Sequence, residues 1–261
     1  MSKTMNTMTC RIKLTPLIAL FLVLSTVASA QSGCTPPEAM KARFSGAPNA
    51  DALNELGVWF GEQKNYTCAA DAFATSLQLD PKQKDMPHIA FMFGGSLYLA
   101  GDTSEAIAAL REAEKFGYRD IKLHLLLAQA LDATRATADA EAEWRAALEI
   151  DPESADALDS LSNDLIADSE DGAVITLLDT ARLKPLWTIQ QCGNLGIAYA
   201  RKGNLAEASS VLRDGVNTYP DSMPLAQKLA DVLIQMGKRD EAAQVLAVAH
   251  RREPAAKPDA P

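Results

Sequence analysis

From residue 50 to 256 small and apolar side chains recur at fixed gaps along the chain. Gly196 is followed after twelve residues by Ala208, after four more by Leu212 and after eight more by Pro220. Gly57, Ala69, Phe73 and Pro81 repeat those gaps, and so do Gly94, Ala106, Leu110 and Tyr118. They return in Ala128, Ala140, Trp144 and Pro152, in Ser162, Val174, Leu178 and Leu186, and in Ala230, Ala242, Leu246 and Pro254. Pro152 to Pro220 is 68 residues, two periods of 34, and Pro81 to Pro152 is 71, three more than two periods. A period of this length predicts stacked supersecondary units, each too small to bury its apolar face alone.

The residue types say what each unit is. Small side chains at 57 and 69, or 196 and 208, suit two antiparallel helices that cross closely there, while Leu195, Tyr199 and Leu212 fill the gaps around the crossing. KGNLAEA at 202–208 and AGDTSEA at 100–106 end one helix on a glycine tolerant of positive φ and open the next with a polar cap. Prolines at 81, 152, 220 and 254 stop the second helix, because proline has no amide hydrogen and clashes with the preceding turn. Six helix-turn-helix units follow, at 50–83, 87–120, 121–154, 155–188, 189–222 and 223–256.

Leu195-Gly196-x-x-Tyr199 with Ala208, Leu212 and Pro220, set in a 34-residue period, resembles the tetratricopeptide repeat. The resemblance covers residues 50–256, fullest in the unit at 189–222 and thinnest at 155–188, where Ser162 and Val174 fill small slots and the proline comes one place early, at Pro185. It implies an all-α fold, a right-handed α-solenoid of about six repeats forming one domain. It also implies a binding scaffold, in which the first helices of successive units line a concave groove for an extended peptide or a partner helix. Cys192, three residues before Leu195, stands where such repeats bury a packing side chain.

Three positions per unit, at i, i+4 and i+7, place one face of each first helix on that groove. They read Asn54, Val58, Gly61; Phe91, Gly95, Tyr98; Leu125, Gln129, Asp132; Asp159, Asn163, Ile166; Gly193, Ile197, Ala200; Gln227, Asp231, Ile234. Phe91 and Tyr98 flank the bare Gly95, so with Leu125 they promise an apolar recess, and Gln129 and Asn163 offer hydrogen bonds to a peptide backbone. The competing reading is that these aromatics fill the interior of a tightly wound array or touch residues 31–49. Family members that grip a terminal carboxylate carry Lys then Asn in the first two slots of a unit; this chain has no such pair.

The ends set the compartment. Lys3, Arg11 and Lys13 precede an apolar run from Leu17 to Leu24 and the small-x-small site Ala28-Ser29-Ala30, which together predict a secretory signal over residues 1–30 and an exported, periplasmic or secreted protein. Lipidation at Cys34 is the alternative, weakened because QSGC puts Gln31 where lipoprotein signals carry leucine. Without the signal's three cations, 22 basic residues face 34 acidic ones, a net charge of −12 over 231 residues. That balance argues against nucleic acid and anionic lipid, and for a neutral or basic protein partner. Export favours a disulfide between Cys34 and Cys68, fastening segment 31–49 to the first repeat and leaving Cys192 as a buried thiol.

No site for chemistry emerges. The cysteines lack metal-binding spacing, and His88, His124 and His250 read as surface or packing residues, so neither metal nor cofactor is expected. HExxH, GxSxG, GxGxxG and GxxxxGK[ST] are absent, and acid pairs such as Glu141 with Glu143 or Asp168 with Glu170 read as solvated. Asn65 in NYT fits a glycosylation sequon but falls at a helix-helix turn, and is read as a turn residue. Segment 257–261 reads as a disordered tail. The expected function is non-catalytic binding in cell-envelope assembly or maintenance. A lipid-anchored secretion or pilus-assembly subunit is the alternative, and an envelope hydrolase a more distant one.

Overall fold

The computed structural model describes residues 34–44, 49–180 and 187–252. The signal over 1–30 and the tail at 257–261 lie outside the described residues. A short helix α1 (Glu38–Lys41) runs into a 3-10 turn (Ala42–Phe44), followed by six helix pairs. The first helices are α2 (Ala50–Glu62), α4 (Met86–Ala100), α6 (Ile121–Ala133), α8 (Ala155–Ala167), α10 (Ile189–Arg201) and α12 (Met223–Gln235). Their partners are α3 (Tyr66–Leu79), α5 (Thr103–Lys115), α7 (Thr137–Ile150), α9 (Asp171–Leu178), α11 (Leu205–Thr218) and α13 (Arg239–Arg252). Each helix packs on the one before and the one after it, which makes an all-helical α-solenoid.

One turn design joins every pair. The residue at the bend has positive φ: Lys64, Gly101, Arg135, Ser169, Gly203 and Gly237, between 59° and 97°. The next amide reaches back five residues, as in Asn65 N to Phe60 O at 2.9 Å, Glu170 N to Leu165 O at 2.8 Å and Asn204 N to Tyr199 O at 2.9 Å. This corrects one expectation, since neither Asp102 nor Asn204 makes a side-chain cap bond. The backbone bonds hold those turns instead. Asn65 does cap, its Oδ1 accepting from Cys68 N at 3.4 Å. Helices α3, α7 and α11 end two residues before Pro81, Pro152 and Pro220, with Asp80, Asp151 and Tyr219 outside the helical region at φ −133°, −133° and −123°.

The small residues lie where the helices of a pair touch. A Cβ on Gly57 would meet the Phe73 ring at 2.7 Å, one on Gly94 Leu110 at 2.8 Å, and one on Gly196 Leu212 at 2.5 Å. Ala69, Ala106, Ala128, Ala140, Ser162, Val174 and Ala208 are fully buried. One continuous apolar cluster runs from Ala90 to Ala242, with Trp144 and Leu110 among its largest members. A second, built on Leu56, Phe60 and Phe73, is covered by Met40 and Phe44 of the amino-terminal segment. A disulfide joins Cys34 to Cys68 with their Cα atoms 5.4 Å apart, and Arg43 pairs with Glu55. Cys192 is fully buried.

The fourth pair departs from the others. Helix α9 has only 8 residues, against 13 or 14 in the other second helices. Helices α8 and α10 meet directly, and here they do so through polar side chains. Asp159 Oδ1 accepts from Thr188 Oγ1 and from Gln191 Nε2, both at 2.7 Å, while Asn194 Nδ2 donates to Ser162 Oγ at 2.9 Å.

Candidate functional site

The groove face of the first helices has three parts. At the amino-terminal part Phe91 is half-buried and its ring stacks on Tyr118, centroids 4.5 Å apart and planes 12° from parallel. His88 joins them, 5.8 Å from Tyr118 and 6.4 Å from Phe91. Tyr118 occupies the slot that holds proline in four other units, and the aromatic there takes Phe91 of its own unit as a packing partner. Gly95 faces Leu126 of α6, whose Cδ2 would lie 3.4 Å from an added Cβ. Tyr98 is half-buried and Leu125 packs against the core, while Gln129 is exposed.

In the middle the groove is polar and acidic. Asn163 is exposed, but its Oδ1 accepts from Asn194 Nδ2 at 2.8 Å and from Gln190 Nε2, so its acceptor is already engaged. It thus stands apart from the aromatic pair and serves the α8–α10 seam. Asp132 accepts from Trp144 Nε1 at 3.2 Å. Nearby, burial pushes the Asp164 carboxyl up to about 6, helped by the negative charges of Asp132, Glu141 and Asp168. Next to Leu125 in the chain, the His124 ring bonds the Glu143 carboxylate at 2.8 Å, which raises the imidazole above its ordinary value against the opposing effect of burial.

The carboxy-terminal part holds a recess of about 270 Å³ between α10 and α12. Ile197, Ala200, Leu212 and Val232 give it an apolar floor, and Lys228, Asp231, Gln235 and Arg201 rim it. Arg201 is tied down by Ile166 O at 2.9 Å and Asp171 Oδ1 at 3.4 Å. The stem of Lys228 crosses Gly193, where a Cβ would lie 3.3 Å from its Cε. Sequence reasoning placed Ile197, Ala200 and Asp231 on the groove but missed Lys228, Arg201 and Gln235, which stand off the three-slot stripe. The available signal was the pair of small residues at Gly193 and Ala200, which leaves the groove open there.

No family model matches the sequence, and no curated protein matches it. Among solved structures, a tetratricopeptide repeat protein from Parabacteroides merdae is similar with a TM-score of 0.62 at 16% identity, over 78% of this chain and 80% of its own. MamA is similar with a TM-score of 0.60 at 21% identity, over 67% of this chain and 100% of its own. YrrB, described as a TPR protein with an unusual peptide-binding site, is similar with a TM-score of 0.61 at 16% identity, over 72% of this chain and 96% of its own. The six helix pairs, their small-residue crossings and these neighbours agree: the chain has the fold of the tetratricopeptide repeat proteins.

Proposed function

We propose that the protein is an exported, non-catalytic scaffold that holds a peptide or partner helix in its concave groove and serves cell-envelope assembly or maintenance. The observation that carries this reading is the groove face itself. Val58, Gln129, Asn163, Gln227, Asp231 and Ile234 stay exposed on the groove face of α2, α6, α8 and α12, while the opposite sides of the same helices are buried. YrrB's peptide-binding description fits a fold used in this way. Export is supported by the amino-terminal sequence and by the Cys34–Cys68 disulfide, since such bonds persist in oxidising compartments. Among the described residues no helix is long and apolar enough to cross a membrane. The lipid-anchored alternative needs the Cys34 sulfur for a thioether, and that sulfur is bonded to Cys68.

The test is site-specific photocrosslinking in intact cells producing the full chain. Groove positions Gln129, Asn163 and Asp231 should capture a discrete partner that Glu207 on α11 does not. Equal capture from Glu207 would sink the groove reading, and retention of the full chain in the cytoplasm would sink export.

A further inference from the structure

We infer that the recess between α10 and α12 grips one residue of an extended peptide by its main chain, through Lys228 and Asp231, and takes an uncharged aliphatic side chain on its floor. This deepens the groove reading above and rests on it.

The two charges are the starting point. Lys228 and Asp231 are three residues apart on α12, so they are neighbours on one helix face, about one turn from each other. Both rim the recess, and among the described residues neither has a hydrogen-bond or ion-pair partner. An ammonium and a carboxylate left unpaired beside an apolar floor match a ligand that brings an acceptor and a donor together. One residue of an extended chain does so, because its N–H and C=O point to the same side while its side chain stands perpendicular to them. With the main chain against α12, Lys228 Nζ donates to the carbonyl and the Asp231 carboxylate accepts from the N–H. The side chain of that residue then enters the space lined by Ile197, Ala200, Leu212 and Val232.

Size and construction agree. The recess is about 270 Å³, below the roughly 300–1,000 Å³ of sites that enclose a whole small ligand, and suited to part of a longer one. The floor carries no charge, which selects a Leu, Ile, Val or Met side chain. Gly193 belongs to the same device. It is buried on α10 directly under the Lys228 stem, and a larger side chain there displaces the lysine from the rim. Arg201 closes the far wall and is itself held by Ile166 O and Asp171.

The experiment titrates blocked peptides acetyl-Ser-Thr-X-Thr-Ser-amide into the isotope-labelled protein and follows backbone amide resonances. With X as leucine, shifts are expected at 193–201 and 228–235. Affinity should fall at least fivefold when X is alanine, aspartate or N-methyl-leucine, the last keeping the side chain and removing the N–H. Lys228→Met, which keeps the stem, and Gly193→Val should each weaken the leucine peptide at least fivefold, and for Lys228→Met the melting midpoint should not change. Equal binding of N-methyl-leucine overturns the main-chain grip. Shifts confined to the Phe91–Tyr98 part of the groove, or no shifts with any peptide, overturn the inference and leave the groove reading to the crosslinking test. Shifts confined to second helices overturn both.

Discussion

Gly196 lies directly beneath Leu212, so close that a Cβ on the glycine would sit 2.5 Å from the leucine Cγ. Alanine in a helix interior ordinarily gains about 0.5–1 kcal/mol over glycine. Here that gain is overridden, because the obstacle is the branch point of a fully buried side chain in the tightest part of the unit. Gly196→Ala should therefore lower stability by roughly 1–2 kcal/mol through overpacking. Gly61, with nothing within 4 Å of the same construction, should gain stability as Gly61→Ala. Denaturant unfolding of the two variants checks the pair. A gain in both would mean that the α10–α11 crossing is loose.

That crossing was legible from sequence because it repeats: Gly57 over Phe73 and Gly94 over Leu110 are the same event at the same spacing. Relations that occur once were not legible. Lys228 lies across Gly193, 35 positions earlier, and although Gly193 holds a groove slot, no periodic slot marks Lys228. Asn163 looked available to a ligand, yet Gln190 and Asn194 of the next unit take its acceptor where α8 and α10 meet. Polar caps were expected at Asp102 and Asn204 from residue type, whereas the turn closes through amides that any residue supplies. Periodicity reports what every unit shares. A site is where units differ.

The His124–Glu143 bond gives stability a pH dependence. The hydrogen bond to Glu143 raises His124 most, with Glu114 adding to it, while burial and Arg119 oppose. A histidine raised in the folded state contributes fully below its unfolded value of about 6.5, and that contribution is lost as pH rises through the folded value. Glu143→Gln should thus cost on the order of 1 kcal/mol near pH 6, solvent screening included, and little near pH 9. Thermal melts of both proteins across this range check it, and a constant difference would reject the assignment.

Asp164 works in the opposite direction. Its folded value of about 6 lies above the ordinary carboxylate value of 3.8, so the unfolded chain ionises first as pH rises. Stability is greatest below the unfolded value and falls as pH climbs from there through about 6. Asp164→Asn, which removes the charge and keeps the shape, should stabilise the protein at pH 7 by on the order of 1 kcal/mol, solvent screening included, and give no gain near pH 4. A gain independent of pH would point to packing instead.

The Cys34–Cys68 bond closes a 34-residue span and fastens Met40 and Phe44 over the first pair. Cys34→Ser should cost roughly 2–4 kcal/mol in the first unit. In an array stabilised by nearest neighbours the loss should stay local. Hydrogen exchange should therefore quicken in α2 and α3 and leave α10 to α13 unchanged. Uniform acceleration along the solenoid would refute the local account.

Phe91 and Tyr98 sit two helical turns apart on α4, and the structure divides their work. Phe91 has a stacking partner in Tyr118 and packs against the core, so Phe91→Ala removes a half-buried ring and its stack, costing roughly 1–3 kcal/mol of stability. Tyr98 is half-buried, and among the described residues it makes no ring contact, so Tyr98→Ala should change stability by less than about 0.5 kcal/mol. The order should reverse for binding. Tyr98→Ala should weaken a partner captured in this part of the groove by about 1–3 kcal/mol, the range of an interface anchor. Calorimetric titration beside thermal melting separates the two losses. A Tyr98→Ala protein that melts early and binds normally would make both aromatics packing residues and move the search for contacts toward α10 and α12.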